Sequence, residues 1–186
     1  MSTRGRALRP VAAALVALAL GLAFAPAARA KPLWNAGLET GVCGGRSSLD
    51  LQDPGWCNAL HGDVLFLRQG ARDVGLGPSL RLGTARFDDV RLDAGLSVLL
   101  PVFESFPVVL EAGPHLRNFK QPGLFASAFF GLRSFNYYGH YEMAAGLAVT
   151  AERSFTVGTP SALWITARVD GSWIALPFVF IYNGLK

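Results

Sequence analysis

The sequence predicts an all-β chain: a single eight-stranded antiparallel up-and-down membrane β-barrel with a polar, mostly filled lumen. Three observations predict it. From Val74 to Val102 the residues alternate, with Val74, Leu76, Leu80, Leu82, Val90, Leu92, Ala94, Leu96, Val98 and Leu100 on one parity. Gly75, Gly77, Ser79, Arg81, Gly83, Arg91, Asp93, Gly95 and Ser97 take the other. Successive strand side chains point to opposite faces, so one face is aliphatic and the other small or charged. A soluble barrel encloses its aliphatic parity, whereas a small membrane barrel turns it outward and keeps a polar lumen. The second observation is that the alternating runs reach about ten residues, the length of a tilted strand crossing a bilayer. The third is an export signal at the front of the chain.

That signal occupies residues 1–30. Arg4, Arg6 and Arg9 form a basic start, Val11 to Phe24 an apolar core, and Ala28-Arg29-Ala30 a small-residue cleavage site, so the mature barrel domain is expected over residues 31–186. The apolar core is short beside the roughly 20 residues of a spanning helix, and Pro10 and Pro26 fit cleavage better than anchorage. No cysteine near the cut supports a lipid-anchored N-terminus. Of the 17 Lys and Arg, Arg4, Arg6, Arg9 and Arg29 belong to the signal, and the remainder balance the 13 Asp and Glu. A mature chain of zero formal charge gives no electrostatic case for a nucleic-acid partner.

The first mature run sets Trp34, Ala36, Leu38 and Val42 against Asn35, Gly37, Glu39 and Gly41. Cys43 and Cys57 follow. An exported chain with one cysteine pair at this spacing is read as closing a loop by a disulfide. Two cysteines with no histidine between them are too few for a metal site, and too far apart for a redox motif. Leu60 to Arg68 is a less regular second run, and the two arms of the Val74 to Val102 hairpin are the third and fourth. In the fifth, Val108, Leu110, Ala112 and Leu116 oppose Glu111, Gly113, His115 and Arg117. In the sixth, Leu124, Ala126, Ala128, Phe130 and Leu132 oppose Phe125, Ser127, Phe129, Gly131 and Arg133. Tyr141 to Glu152 and Leu163 to Asp170 complete eight, with Glu142 and then Trp164, Thr166, Arg168 and Asp170 on the inward parity. Residues 174–186 are expected to extend the last strand or pack as a tail.

An even count returns both termini to one side. The cysteine loop, Phe87-Asp88-Asp89, Asn118 to Gly123 and Arg153 to Pro160 then fall at the outer end, and Gln69 to Asp73, Phe103 to Pro107 and Asn136 to His140 at the periplasmic end. Aromatic residues collect near both ends: Trp34, Phe103, Phe106, Tyr137, Tyr138 and Tyr141 at one, Trp56, Phe87, Phe119 and Phe155 at the other. Interfacial girdles belong at those levels.

With these runs in place, residues 33 to 173 resemble the small eight-stranded outer-membrane β-barrel proteins of Gram-negative bacteria. The resemblance is one of pattern, because that group has no strict motif. It implies an outer-membrane location, insertion by the barrel assembly machinery, outer-membrane lipid as surroundings, and a monomer. Its members include anchors, adhesion-related proteins, narrow pores and a few lipid-modifying enzymes. The chain departs from the usual terminal aromatic: Phe178, Phe180 and Tyr182 alternate suitably, but Asn183-Gly184-Leu185-Lys186 follow.

The site expected from sequence is a lumen network of Arg81, Arg91, Asp93, Glu111, His115, Arg133, Glu142, Arg168 and Asp170. A tight hairpin sets Arg81 diagonal to Asp93, and a row Glu111, Arg133, Glu142 is expected across three strands. Ionised groups in a narrow barrel need partners against desolvation, so the network reads as a salt-bridged core, with a charged constriction of a small pore as the alternative. No enzyme is expected. His115, Ser127 and Glu111 share the inward face and would have to meet as a hydrolase triad, but no nucleophile elbow accompanies them. His61 and His140 read as exposed or turn residues, which leaves no metal site. No cofactor is expected, since Gly75-Leu76-Gly77 and Gly44-Gly45 lack the following helix of a phosphate cradle. A soluble periplasmic lipid-binding barrel is the rival from another class, and it requires the opposite polarity.

Overall fold

A computed structural model describes residues 31–47, 50–68, 70–103, 105–135 and 141–184. The expected export segment, His140, Tyr137 and Tyr138 lie outside the described residues. Eight strands, β1 (Leu33–Ser47), β2 (Asp50–Leu65), β3 (Gly75–Ala85), β4 (Asp89–Leu100), β5 (Val108–Arg117), β6 (Gln121–Phe135), β7 (Glu142–Ser154) and β8 (Ser161–Asp170), are followed by one helix, α1 (Gly171–Gly184). Each strand pairs antiparallel with the next, and β8 pairs with β1, so the sheet closes into an up-and-down barrel without edges.

The alternation decides which residues face in. On β3, Gly75, Gly77, Ser79, Arg81, Gly83 and Ala85 are buried, while Leu80 and Leu82 are 54% and 43% exposed. The same holds around the barrel: Leu38, Leu60, Leu110, Leu124, Phe130, Leu147 and Ile165 are exposed large apolar residues of the outer wall. Inside, the polar column is bounded by two apolar clusters. Leu65, Leu99, Val109, Phe129, Ala144 and Ala148 form one, and Cys43, Cys57, Ala85, Ala162 and Trp164 the other. Gly131 lies directly opposite Gly146 on the inward face. A Cβ on either would be driven into the facing backbone, and one on Gly146 would also meet Phe129 Cε2 at 2.9 Å. Two glycines at this pair make room for the Phe129 ring.

Three elements differ from the sequence reading. The cysteine loop is largely strand: β2 begins at Asp50, and Cys43 and Cys57, which are disulfide-bonded, sit diagonally across the β1–β2 ladder on the inward face. Gly55 still pairs with Cys43, and after a register shift past Pro54 and Asp53 the ladder resumes at Gln52 opposite Gly45. The Asn118 connection is also tighter than expected, with Arg117 already paired to Gln121. In both the Arg86-Phe87 and Asn118-Phe119 turns the two central residues have positive φ, the handedness that suits tight hairpins. Finally, the tail is a helix. Asp170 Oδ1 accepts from the backbone N–H groups of Ser172 and Trp173 at 2.6 and 3.0 Å, which is N-cap geometry, and the strand pattern ends there.

The disulfide closes a fifteen-residue loop, Cys43 to Cys57. Reduction is therefore expected to lower stability by about 3 kcal/mol on the chain-entropy account. Paired urea titrations with and without reductant check this; coincident midpoints would contradict it.

Candidate functional site

Eight inward faces bring the charged residues into a bore only wide enough for side chains. Among the described residues, five arginines, two histidines and eight carboxylates are buried there. They join end to end. At the end carrying the β1–β2 hairpin tip, Arg117 and Arg91 share Asp89 at 2.7 and 2.8 Å, and Arg91 also bonds Glu152. Arg81 takes Glu152 at 3.4 Å, Asp93 at 2.6 Å and, from Nε, Glu39 at 3.1 Å. Arg168 bridges Glu39 at 2.7 Å and Glu111 at 2.9 Å. His61 Nε2 meets Glu111 at 2.9 Å and lies 3.9 Å from Asp63. Arg133 grips both oxygens of Asp63 and donates to Glu142 at 2.7 Å, and Arg68 closes the series on Glu142 at 2.5 Å. The result is one continuous charged ladder from Arg117 to Arg68.

Aromatic faces hold the guanidinium planes. Arg81 and Arg91 lie 4.2 and 4.9 Å from the Trp164 ring, and Arg168 lies 5.0 Å from Phe129. Such stacking, with ion pairing on the guanidinium edge, suits arginine and not lysine. Among the described residues, every buried Lys or Arg is arginine.

All nine residues expected in the lumen network lie on the inward face and are buried. Their pairing differs in part. Arg81 is directly opposite Asp93, not diagonal to it. Glu111 does not reach Arg133: the β5–β6 register sets it opposite Ser127, so it pairs with Arg168 and His61 across the bore instead. Arg133 and Glu142 do bond, and the third member of their group is Asp63. Asp170 takes no arginine within salt-bridge distance among the described residues; it accepts from the Ala144 N–H and caps α1. The serine and histidine of the hydrolase reading stay apart, because Ser127 accepts from Thr150 at 2.8 Å and His115 Nδ1 lies 2.5 Å from Asp93. His61 is buried and not exposed, since it falls on the inward parity of a strand longer than expected.

Sequence reading missed Glu39, His61, Asp63, Arg68, Asp89, Arg117 and Glu152 as ladder members. Their parity was readable for Glu39 and Glu152, but contacts across a bore are not encoded by strand alternation. Two groups, His61-Asp63-Glu111 and Asp93-His115-Glu152, have ligand atoms close enough together for a metal ion. Arginines already engage their carboxylates, so a divalent cation would face adjacent positive charge, and the chemistry of the donor set favours ion pairs.

Above the ladder the mouth opens into a cavity of about 430 Å³, lined by Asp53, Arg86, Asp89, Arg91, Arg117 and Asn118 among others. Arg86, from the β3–β4 turn, donates to the Asp53 carbonyl and pairs with its carboxylate at 2.6 Å. Its side chain crosses Gly55, where a Cβ would collide with it. The Arg86 hydrogen bond, and secondly its charge, hold the Asp53 carboxyl below the ordinary range. A depressed folded value means this clasp contributes above the unfolded value near 4 and is lost as pH falls through the folded one. A carbon NMR titration of Asp53 is expected to show the low midpoint, and Arg86→Gln to return it to the ordinary range.

The fold and site together define a closed eight-stranded antiparallel barrel with a salt-bridged interior. No protein family, curated protein or solved structure matches the chain.

Proposed function

We propose that the protein is an integral outer-membrane β-barrel with a structural, anchoring or surface-interaction role, exported by a signal cleaved after Ala30. The observation that carries this reading is polarity. The outer wall bears exposed Leu38, Leu60, Leu80, Leu110, Phe130 and Leu147, while arginines and carboxylates are buried inside. In water that arrangement exposes what the hydrophobic effect drives inward, and encloses what solvation draws out. In lipid both faces are satisfied, and closure leaves no strand edge to hydrogen-bond with hydrocarbon.

Aromatic residues support the same placement. Phe87, Phe119 and Phe155 are 76, 62 and 61% exposed at one end, and Trp34, Phe103 and Phe106 are exposed near the other. The ladder and its stacked rings fill the bore, which favours an anchor over a narrow pore for small solutes.

Membrane fractionation tests the reading. Recovery with the outer membrane and heat-modifiable gel mobility are expected; release by osmotic shock would replace it with a soluble periplasmic barrel. In planar bilayers the protein is expected to be silent. A steady current altered by neutralising Arg81 or Arg133 would make the pore the better account.

A further inference from the structure

Among the described elements, the helix α1 is the one that barrel closure does not require. Its fourteen residues, Gly171–Gly184, contain no charged side chain. Trp173 and Ile174 are 38 and 41% exposed, and Ile181 and Tyr182 are 60 and 62% exposed. Apolar residues are spread around the helix with little bias to one face. A helix of that kind is normally buried on every side, in a large core or in a membrane. At Ile181 and Tyr182, among its described side chains, the protein covers less than half of the side chain.

Length and attachment narrow the occupant. At 1.5 Å per residue α1 is about 21 Å long, short of the roughly 30 Å hydrocarbon core. It is also fixed to the barrel rim: Asp170 caps it, and Asp170 itself ends β8 and accepts from Ala144 of β7. Tyr141, whose hydroxyl donates to Ala36 O at 2.9 Å and whose ring meets Trp34 at 4.5 Å, stands beside Gly171. The helix thus starts at the level of the aromatic rim, continuous with the apolar outer wall. A protein partner would cover one face and leave the opposite apolar face in water. Pro177 removes one helical donor and frees the Trp173 carbonyl, which calls for a depth that water still reaches.

We infer that α1 is a lipid-binding anchor, immersed at shallow depth in the bilayer leaflet next to the strand ends from which it leaves. This deepens the membrane reading and rests on it. The last strand thus gives way to a helix that holds the rim to one leaflet.

The test uses the full chain with its disulfide intact, reconstituted in phosphatidylcholine vesicles. An environment-sensitive fluorophore is placed on Tyr182→Cys, and in a second variant on Leu110→Cys of the outer wall. Lipids carrying a quenching nitroxide near the headgroup, and aqueous iodide, are then compared. The inference expects the Tyr182 probe to be blue-shifted, to lose at least half its emission to the nitroxide lipid, and to resist iodide. If the Leu110 probe is quenched by lipid while the Tyr182 probe responds only to iodide, α1 lies in water, and the inference fails while the membrane reading stands. A Tyr182 probe shielded from both quenchers means protein covers the helix, which also overturns it. If lipid quenches neither position, the membrane reading fails as well.

Discussion

Replacing Arg168 with methionine is expected to cost about 3–5 kcal/mol, the penalty of leaving buried carboxylates without their cation. Arg168 is 1% exposed and is the only described bridge between Glu39 and Glu111, at 2.7 and 2.9 Å. Its loss leaves Glu111 to His61 and Glu39 to Arg81, neither with its former share of charge. Methionine keeps an unbranched apolar stem, so the effect reads the lost guanidinium, with its pairs to Glu39 and Glu111 and its place 5.0 Å from the Phe129 ring. Urea titration in detergent micelles, followed by heat-modifiable mobility, should show a lower midpoint at unchanged slope. The double variant Arg168→Met with Glu111→Gln should recover part of the loss, since a neutral amide no longer demands a cation. With Glu111→Gln alone completing the cycle, a loss in the double variant equal to the sum of the two single losses would mean that the pair is not coupled. The ladder is therefore expected to be costly to break yet of modest net worth, because pairing mainly repays the desolvation of its own members.

The same residues show why some of the fold was legible and some was not. Strand count and facing follow from period-two alternation, and each is local: Arg81 and Asp93 face inward because of their parity on β3 and β4. Pairing across the bore is not local. Glu111 could be placed on the inward face from sequence, but its partner Arg168 comes from β8, three strands round the sheet, and depends on barrel stagger. A tight turn at Asn118 set the β5–β6 register, and with it the failure of the Glu111–Arg133 pairing. The helix was concealed for another reason. Phe178, Phe180 and Tyr182 mimic strand alternation, whereas the signal that decides the matter, Asp170 as N-cap, had been assigned to the lumen. One carboxylate serves as the end of β8 and the start of α1, so reading it for one role hid the other.

Trp164→Ala is the second large effect, with an expected loss of about 3–5 kcal/mol for removing a fully buried indole. Trp164 is 0% exposed, packs with Cys43, Cys57, Ala85 and Ala162, and carries Arg81 and Arg91 against its ring. Gly83 sits 3.1 Å from the ring by its would-be Cβ, a sign that the space was shaped for it. Trp164→Phe retains a smaller aromatic face and should lose less, while Trp164→Leu should keep bulk but forfeit the stacking, worth up to about 2 kcal/mol when desolvated. The mouth cavity shares Cys43, Ala85, Arg91 and Ala162 with the surroundings of Trp164, so truncation should deepen it. It should not open a path through the barrel, because Arg168 still ties Glu39 to Glu111 across the bore below. Lower urea resistance with continued silence in planar bilayers is therefore the expected pair of results for Trp164→Ala. A current in that variant alone would show that the indole, and not the charged ladder, is what seals the barrel.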